Sequence, residues 1–104
     1  MPTVVQHATL VCVIKSFLHK GLRRFFESGS KSGIRPDHAV RLSQQLAALD
    51  TATCLEDMNL PGYGLHPLTG DHAGQWAVTV KKNWRITFEF HGEDAYIVDY
   101  KDYH

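Results

Sequence analysis

The chain ends Asp102-Tyr103-His104, and those three side chains supply a carboxylate, a phenol and an imidazole, group types that move protons near neutral pH. Two further candidates stand upstream: His66 in Leu65-His66-Pro67-Leu68 and Arg85 in Asn83-Trp84-Arg85-Ile86-Thr87-Phe88. A proton-transfer set beside a guanidinium is what phosphodiester cleavage needs. A base takes the 2′-OH proton, an acid protonates the departing 5′-oxygen, and a cation stabilises the charge that builds up on the phosphorane. Arg85 suits the last role, because a guanidinium stays charged and can fork onto two phosphate oxygens. His66 and His104 can each serve as base or acid, Asp102 can orient one of them or act as the base, and Tyr103 can stack on a nucleobase. Each residue alone has a duller reading. A histidine before proline is usually a loop residue, a strand arginine usually pairs with a carboxylate, and a terminal Tyr-His usually frays.

The elements that must hold these groups can be read from periodicity. The β-branched run Val11-Cys12-Val13-Ile14-Lys15-Ser16-Phe17 predicts a first strand. Leu18, Leu22, Phe25 and Phe26 recur at helical spacing among Lys20, Arg23, Arg24 and Glu27, and Gly29 with Ser30-Lys31-Ser32-Gly33 ends that helix. Pro36 and Asp37 suit the start of a second helix carried by Ala39, Leu42, Leu46 and Leu49, which runs out at Asp50-Thr51. After a loop closed by Leu60-Pro61-Gly62 the period changes to two. Trp76, Val78 and Val80 form one alternating set, and Trp84, Ile86, Phe88 and Phe90 another. Lys81-Lys82-Asn83 and His91-Gly92-Glu93-Asp94 read as turns. In the last strand Tyr96, Val98 and Tyr100 are expected on one face, with Ile97 and Asp99 on the other. Strand parity turns Arg85 away from the apolar face, and Asp102 is expected beyond the last strand. Together these predict a single α+β domain in which a two-helix hairpin packs on a mostly antiparallel sheet.

Composition narrows the class. At 104 residues, 43% hydrophobic and 21% charged, the sequence fits one globular domain and not a disordered chain. No apolar run approaches the length of a membrane span, and the first twelve residues lack the Lys or Arg of a secretory signal. Cys12 and Cys54 lack metal-site spacing and are expected to be reduced thiols, which points to the cytoplasm. His66, His72, Asp102 and His104 do not have the spacing of a zinc motif, so neither metal nor cofactor is expected. Formal net charge is zero, yet residues 13–50 hold seven Lys or Arg against three acids, while residues 51–104 hold four against eight. The basic half suits an RNA or an acidic partner, or simply forms a solvated helix face.

Several blocks together carry a family resemblance. Ile14-Lys15-Ser16-Phe17, Leu65-His66-Pro67-Leu68 with Gly70-Asp71, Asn83 to Phe90, Gly92 to Ile97 and the Asp102-Tyr103-His104 ending are similar to the HigB-like killer toxins of the RelE/ParE superfamily. The likeness spans residues 13–104. It implies a RelE-like fold with an N-terminal strand and a sheet of four to five strands. It also implies a ribosome-dependent endoribonuclease, an mRNA interferase that cuts translated mRNA in the A site without a metal. The implied partner is a helix-turn-helix antitoxin of the HigA type, through which the toxin would reach operator DNA. The family's functional residues carry over to His66, Arg85, Asp102, Tyr103 and His104.

The chain departs from the family pattern at two points. Relatives carry Lys in the Leu-Lys-Gly after His-Pro, where this chain has Thr69, and Arg often follows the Asp where this chain has His72. His72 or Lys101 would then be left to supply the missing cation, so Thr69, His72 and Lys101 form a second tier of substrate-binding candidates. Residues 1–12 precede the usual family start at the position of Val13. They are either a start-site artefact, since GTG can initiate translation, or a real extension of the first strand. Two other functions compete: a ParE-like toxin that binds gyrase without catalysis, and a degenerate toxin that only binds its antitoxin.

Overall fold

A computed structural model describes residues 14–103. The predicted extension at 1–12, the Val11–Val13 part of the first strand and the catalytic candidate His104 lie outside the described residues. Two helices, α1 (Lys20–Ser28) and α2 (Ala39–Thr51), precede four strands: β1 (His66–Pro67), β2 (Gln75–Lys81), β3 (Trp84–His91) and β4 (Asp94–Asp102). The strands form one antiparallel sheet in the order β1-β2-β3-β4. Residues 14–17 do not form a full strand. Ile14 and Phe17 make isolated parallel bridges to Ala95 and Val98 of β4, so this segment lines the outer edge of the sheet.

Both helices begin and end for identifiable reasons. His19 caps α1, its Nδ1 accepting the Leu22 N–H at 2.9 Å, and Gly29 closes the helix in the left-handed region at φ 81°. Pro36 opens a 3-10 turn, Pro36–His38, that leads directly into α2. The chain between the helices must pass very close to α1: a Cβ on Gly21 would lie 2.6 Å from the Gly33 carbonyl oxygen. Only two glycines allow that backbone-on-backbone contact.

The core lies between the helices and one face of the sheet. Leu22, Leu42, Leu46 and Leu49 meet Val78, Ile86, Phe88 and Val98, all at most 1% exposed. Polar side chains of α2 bind the same layer. Gln45 Nε2 donates to the Thr79 carbonyl at 2.7 Å, and Arg41 Nη2 donates to the Gly62 carbonyl at 2.7 Å. The Thr79 N–H in turn donates to the Tyr63 carbonyl at 2.7 Å, so α2, β2 and the loop before β1 are joined.

Two expectations about β4 are corrected by its pairing. Asp102 is not beyond the strand but within it, opposite Trp84. A register shift between Thr87 and Glu89 inserts an extra residue in β4, with Ile97 at φ 47°. The shift places Tyr96 opposite Glu89, on the face away from the helices, while Val98 and Tyr100 face the core. Ser16 supports the irregularity: its Oγ accepts the Ile97 N–H at 2.8 Å and its carbonyl accepts the Val98 N–H at 3.1 Å. Thr87, expected on the solvated face, is fully buried.

Tyr100 ties the last strand to the start of α2. Its Oη accepts the Arg35 N–H at 3.4 Å and lies 2.7 Å from His38 Nδ1, with the rings of His19, His38 and Trp84 around it. Oη thus accepts the Arg35 N–H and shares a second hydrogen bond with His38 Nδ1. Burial, only partly offset by Asp37, lowers the His38 pKa, and burial raises that of Tyr100. A folded-state pKa below the ordinary 6.5 means that the unfolded chain takes up the His38 proton first as pH falls. This stabilisation is therefore intact above about pH 6.5 and is lost as pH drops below it. The midpoint of thermal unfolding should fall with acidification from that point, and His38→Gln should flatten the decline; an identical pH profile for the variant would remove His38 from the account.

Candidate active site

Register decides which side chains can meet. Paired residues of an antiparallel sheet project to the same face, so two rows cross the face away from the helices. One row runs His66, Ala77, Thr87, Asp99; the next runs Thr79, Arg85, Lys101. His66 and Arg85 thus share a face, two strands across and two residues along, with Cα atoms about 12 Å apart by sheet spacing. Between them, Ala77 and Thr87 are fully buried and Thr79 is partly buried, while His66 is exposed and Arg85 half-buried, so the guanidinium and the imidazole flank a covered stretch of sheet.

His66 has a defined tautomer. Its Nδ1 lies 2.9 Å from the Gly64 carbonyl oxygen, which can only accept, so Nδ1 carries a proton and Nε2 is not used by this bond. The loop that supplies this carbonyl is the one joined to α2 through Arg41 and to β2 through Tyr63. Arg85 is turned toward the β2–β3 turn. Its Nη1 donates to the Lys82 carbonyl at 2.6 Å and to the Trp84 carbonyl at 3.2 Å. Both bonds use one nitrogen, and among the described residues Nε and Nη2 have no hydrogen-bond partner, which leaves that edge for a phosphate. Lys101 stands directly across from Arg85, with Nζ 3.6 Å from Asp99 Oδ2. Asp99 is only 13% exposed, so the carboxylate of this pair is largely withdrawn from water.

The other candidates are placed differently. Asp102 is opposite Trp84, whose ring packs on Tyr100 and His38, so it leaves the sheet on the helix side and lines a cleft there. Tyr103 is 37% exposed, and its N–H donates to the Asn83 carbonyl at 2.8 Å, holding the tail against the β2–β3 turn. Arg85 and Asp102 therefore approach the same turn from opposite faces of the sheet. Thr69 and His72 are not brought to that end. They belong to the turn that enters β2 at Gln75, four residues before Thr79, or about 14 Å along the strand from the Arg85 row. A lysine at position 69 would flank His66, whereas Lys101 flanks Arg85, so the two positions are not equivalent. No cluster of three or more potential metal ligands occurs among the described residues.

The sequence reading missed the residues around Asp102. Asp37 read only as part of a helix start and Tyr100 only as one face of the last strand, and Arg35 and His38 carried no reading. The signal was the density of charge and imidazole in Arg35-Pro36-Asp37-His38 immediately before an apolar helix.

A helix pair on a four-stranded antiparallel sheet, with basic and imidazole groups on the open face, defines a RelE-like toxin of the kind found in type II toxin–antitoxin systems. The family model described as the RelE-like toxin HigB of a type II toxin–antitoxin system matches residues 15–104. The chain belongs to this HigB-like toxin family. It is also 51% identical over 92 residues to Endoribonuclease HigB of Proteus vulgaris, an alignment covering 88% of this chain and 100% of that protein. Membership implies an antitoxin as a partner.

The geometry of Arg85 gives a direct test. Arg85→Ala should lower the cleavage rate by about 10² to 10³-fold, as for loss of one donor that stabilises transition-state charge. The side chain bonds only carbonyls of its own turn, so circular dichroism and the unfolding midpoint should stay close to those of the parent chain. A folded variant with full activity would show that Arg85 is not part of the site.

Proposed function

We propose that this chain is an endoribonuclease toxin that cleaves mRNA in the A site of translating ribosomes. The observation that carries the reading is that His66 and Arg85 stand on one face of the sheet, in a chain aligned along the whole length of an endoribonuclease. In the reaction the 2′-oxygen loses its proton to a base and attacks phosphorus, the bond to the 5′-oxygen breaks, and an acid protonates that oxygen. The products are a 2′,3′-cyclic phosphate and a 5′-hydroxyl.

The chain's groups divide as follows. Arg85, with Lys101 beside it, holds the nonbridging oxygens and stabilises the phosphorane. His66, through Nε2, exchanges a proton on the side of β1. Asp102 and Tyr103 act from the side of the β2–β3 turn, so proton transfers at the two ends of the scissile bond come from different elements, and His104 is a further proton-transfer group. Ribosome dependence fits the zero net charge, which gives little nonspecific affinity for free RNA. The antitoxin is a helix-turn-helix protein encoded beside the toxin, operator DNA is met only through the complex, and the toxin acts in the cytoplasm, where its substrate is translated. No helix among the described residues is long and apolar enough to cross a membrane.

The test compares purified protein on naked mRNA and on mRNA translated by ribosomes, with cuts mapped by primer extension. Cleavage should appear only with ribosomes. Efficient cutting of naked RNA would contradict the ribosome requirement. Intact mRNA with inhibited gyrase would place the chain with the ParE-like members, and binding to the antitoxin alone would mark a degenerate toxin.

A further inference from the structure

On the helix side of the β2–β3 turn, a cleft of about 260 Å³ is lined by Arg35, Asp37, His38, Lys81, Lys82, Asn83, Trp84 and Asp102. None of the preceding assignments uses its cations. Arg35 Nε lies 3.4 Å from Asp37 Oδ1, and Lys81 Nζ lies 3.6 Å from Asp37 Oδ2, so one carboxylate spans two cations from different elements. All three side chains are 50 to 55% exposed. Pairs of that kind are worth about 0 to 1 kcal/mol, which makes them easy to exchange for a better anion. Lys82 adds a third positive charge, against the two carboxylates Asp37 and Asp102, while buried His38 stays neutral. A chain of zero net charge therefore concentrates positive charge beside Asp102.

We propose that this cleft is a phosphate subsite for the mRNA strand, in which Arg35 and Lys81 hold the phosphodiester next to the scissile one. The inference rests on the proposed RNA cleavage and extends it. With the scissile phosphate at Arg85, the strand passes around the Lys82-Asn83 turn, and its neighbouring phosphate enters the cleft. Asp37 is the resident anion that the phosphate displaces. It holds the empty cleft together, since Arg35 and Lys81 would otherwise repel each other, and it gives up both partners when RNA arrives. Trp84, partly exposed in the cleft and packed against Tyr100 and His38, provides a rigid wall for the nucleoside.

The opposed signs of two substitutions test this. The first measurement is binding of the full chain to a short single-stranded RNA with 2′-deoxyriboses, which a 2′-OH mechanism cannot cut. Arg35→Ala and Lys81→Ala should each weaken binding and reduce the slope of log affinity against log salt by about 0.7, one released counterion per lost cation. Asp37→Asn should tighten binding. In cleavage on programmed ribosomes the two cation variants should raise KM while kcat stays within about twofold, the pattern of lost ground-state binding. The Arg35 main-chain bond to Tyr100 survives truncation of its side chain, so folding should be retained, as circular dichroism would verify. Unchanged affinity and salt slope in both cation variants, or weaker binding by Asp37→Asn, would overturn the subsite. Equal losses on ribosomes with and without mRNA in the A site would assign the cations to ribosomal RNA and also overturn it. A wild-type protein that binds the oligonucleotide through these residues but cuts no mRNA would leave the subsite standing and defeat the cleavage reading instead.

Discussion

The register of β3 between β2 and β4 is the constraint on which the rest depends. Ile86 and Phe88 must face the helices to bury their side chains, and that choice sends Arg85 to the opposite face. A slip of one residue would put the guanidinium into the core and two large apolar groups into water. Core formation and placement of Arg85 are therefore one event. The same pairing sets Lys101 beside Arg85 and Asp102 opposite Trp84. The two-residue turn Lys82-Asn83 then becomes the point around which groups from both faces converge.

Much of this was legible in the sequence because period-two and helical patterns report burial directly. The stripes Leu42, Leu46, Leu49 and Val78, Ile86, Phe88 were sufficient to orient α2, β2 and β3, and parity alone turned Arg85 outward. What escaped was set by contacts distant in sequence. The shifted register in β4 moved Tyr96 to the other face, and it depends on Ser16, 81 residues from its bonding partner Ile97. The Tyr100–His38 bond spans 62 residues, and it gives a helix-start motif a second role. Thr87 looked solvated by alternation but is covered on that face. His19 as a helix cap was equally hidden, because capping is usually left to Ser, Thr, Asp or Asn.

The resemblance and the residue-level argument contribute different things. Family membership gives the kind of protein and implies an antitoxin, whereas the sheet geometry says which matched residues share a face. His66 and Arg85 stand on one face; Asp102 and Tyr103 reach the β2–β3 turn from the other side; Thr69 and His72 lie toward the far end of β2. Thr69 is uncharged and lies toward His66, away from the Arg85 end. Affinity there can draw on Lys101 and on the cations of the neighbouring cleft.

In the proposed reaction, His66 and Arg85 on one face of the sheet drive attack of a 2′-oxygen on phosphorus. The most direct measurement replaces the single nucleotide on the 5′ side of the mapped cut by its 2′-deoxy form, in an mRNA otherwise unchanged and translated in vitro. Cleavage at that position should disappear, and cuts in the unmodified message should leave 2′,3′-cyclic phosphate and 5′-hydroxyl ends. Continued cleavage of the deoxy-substituted message at the same position, leaving a 3′-hydroxyl and a 5′-phosphate, would contradict that reaction.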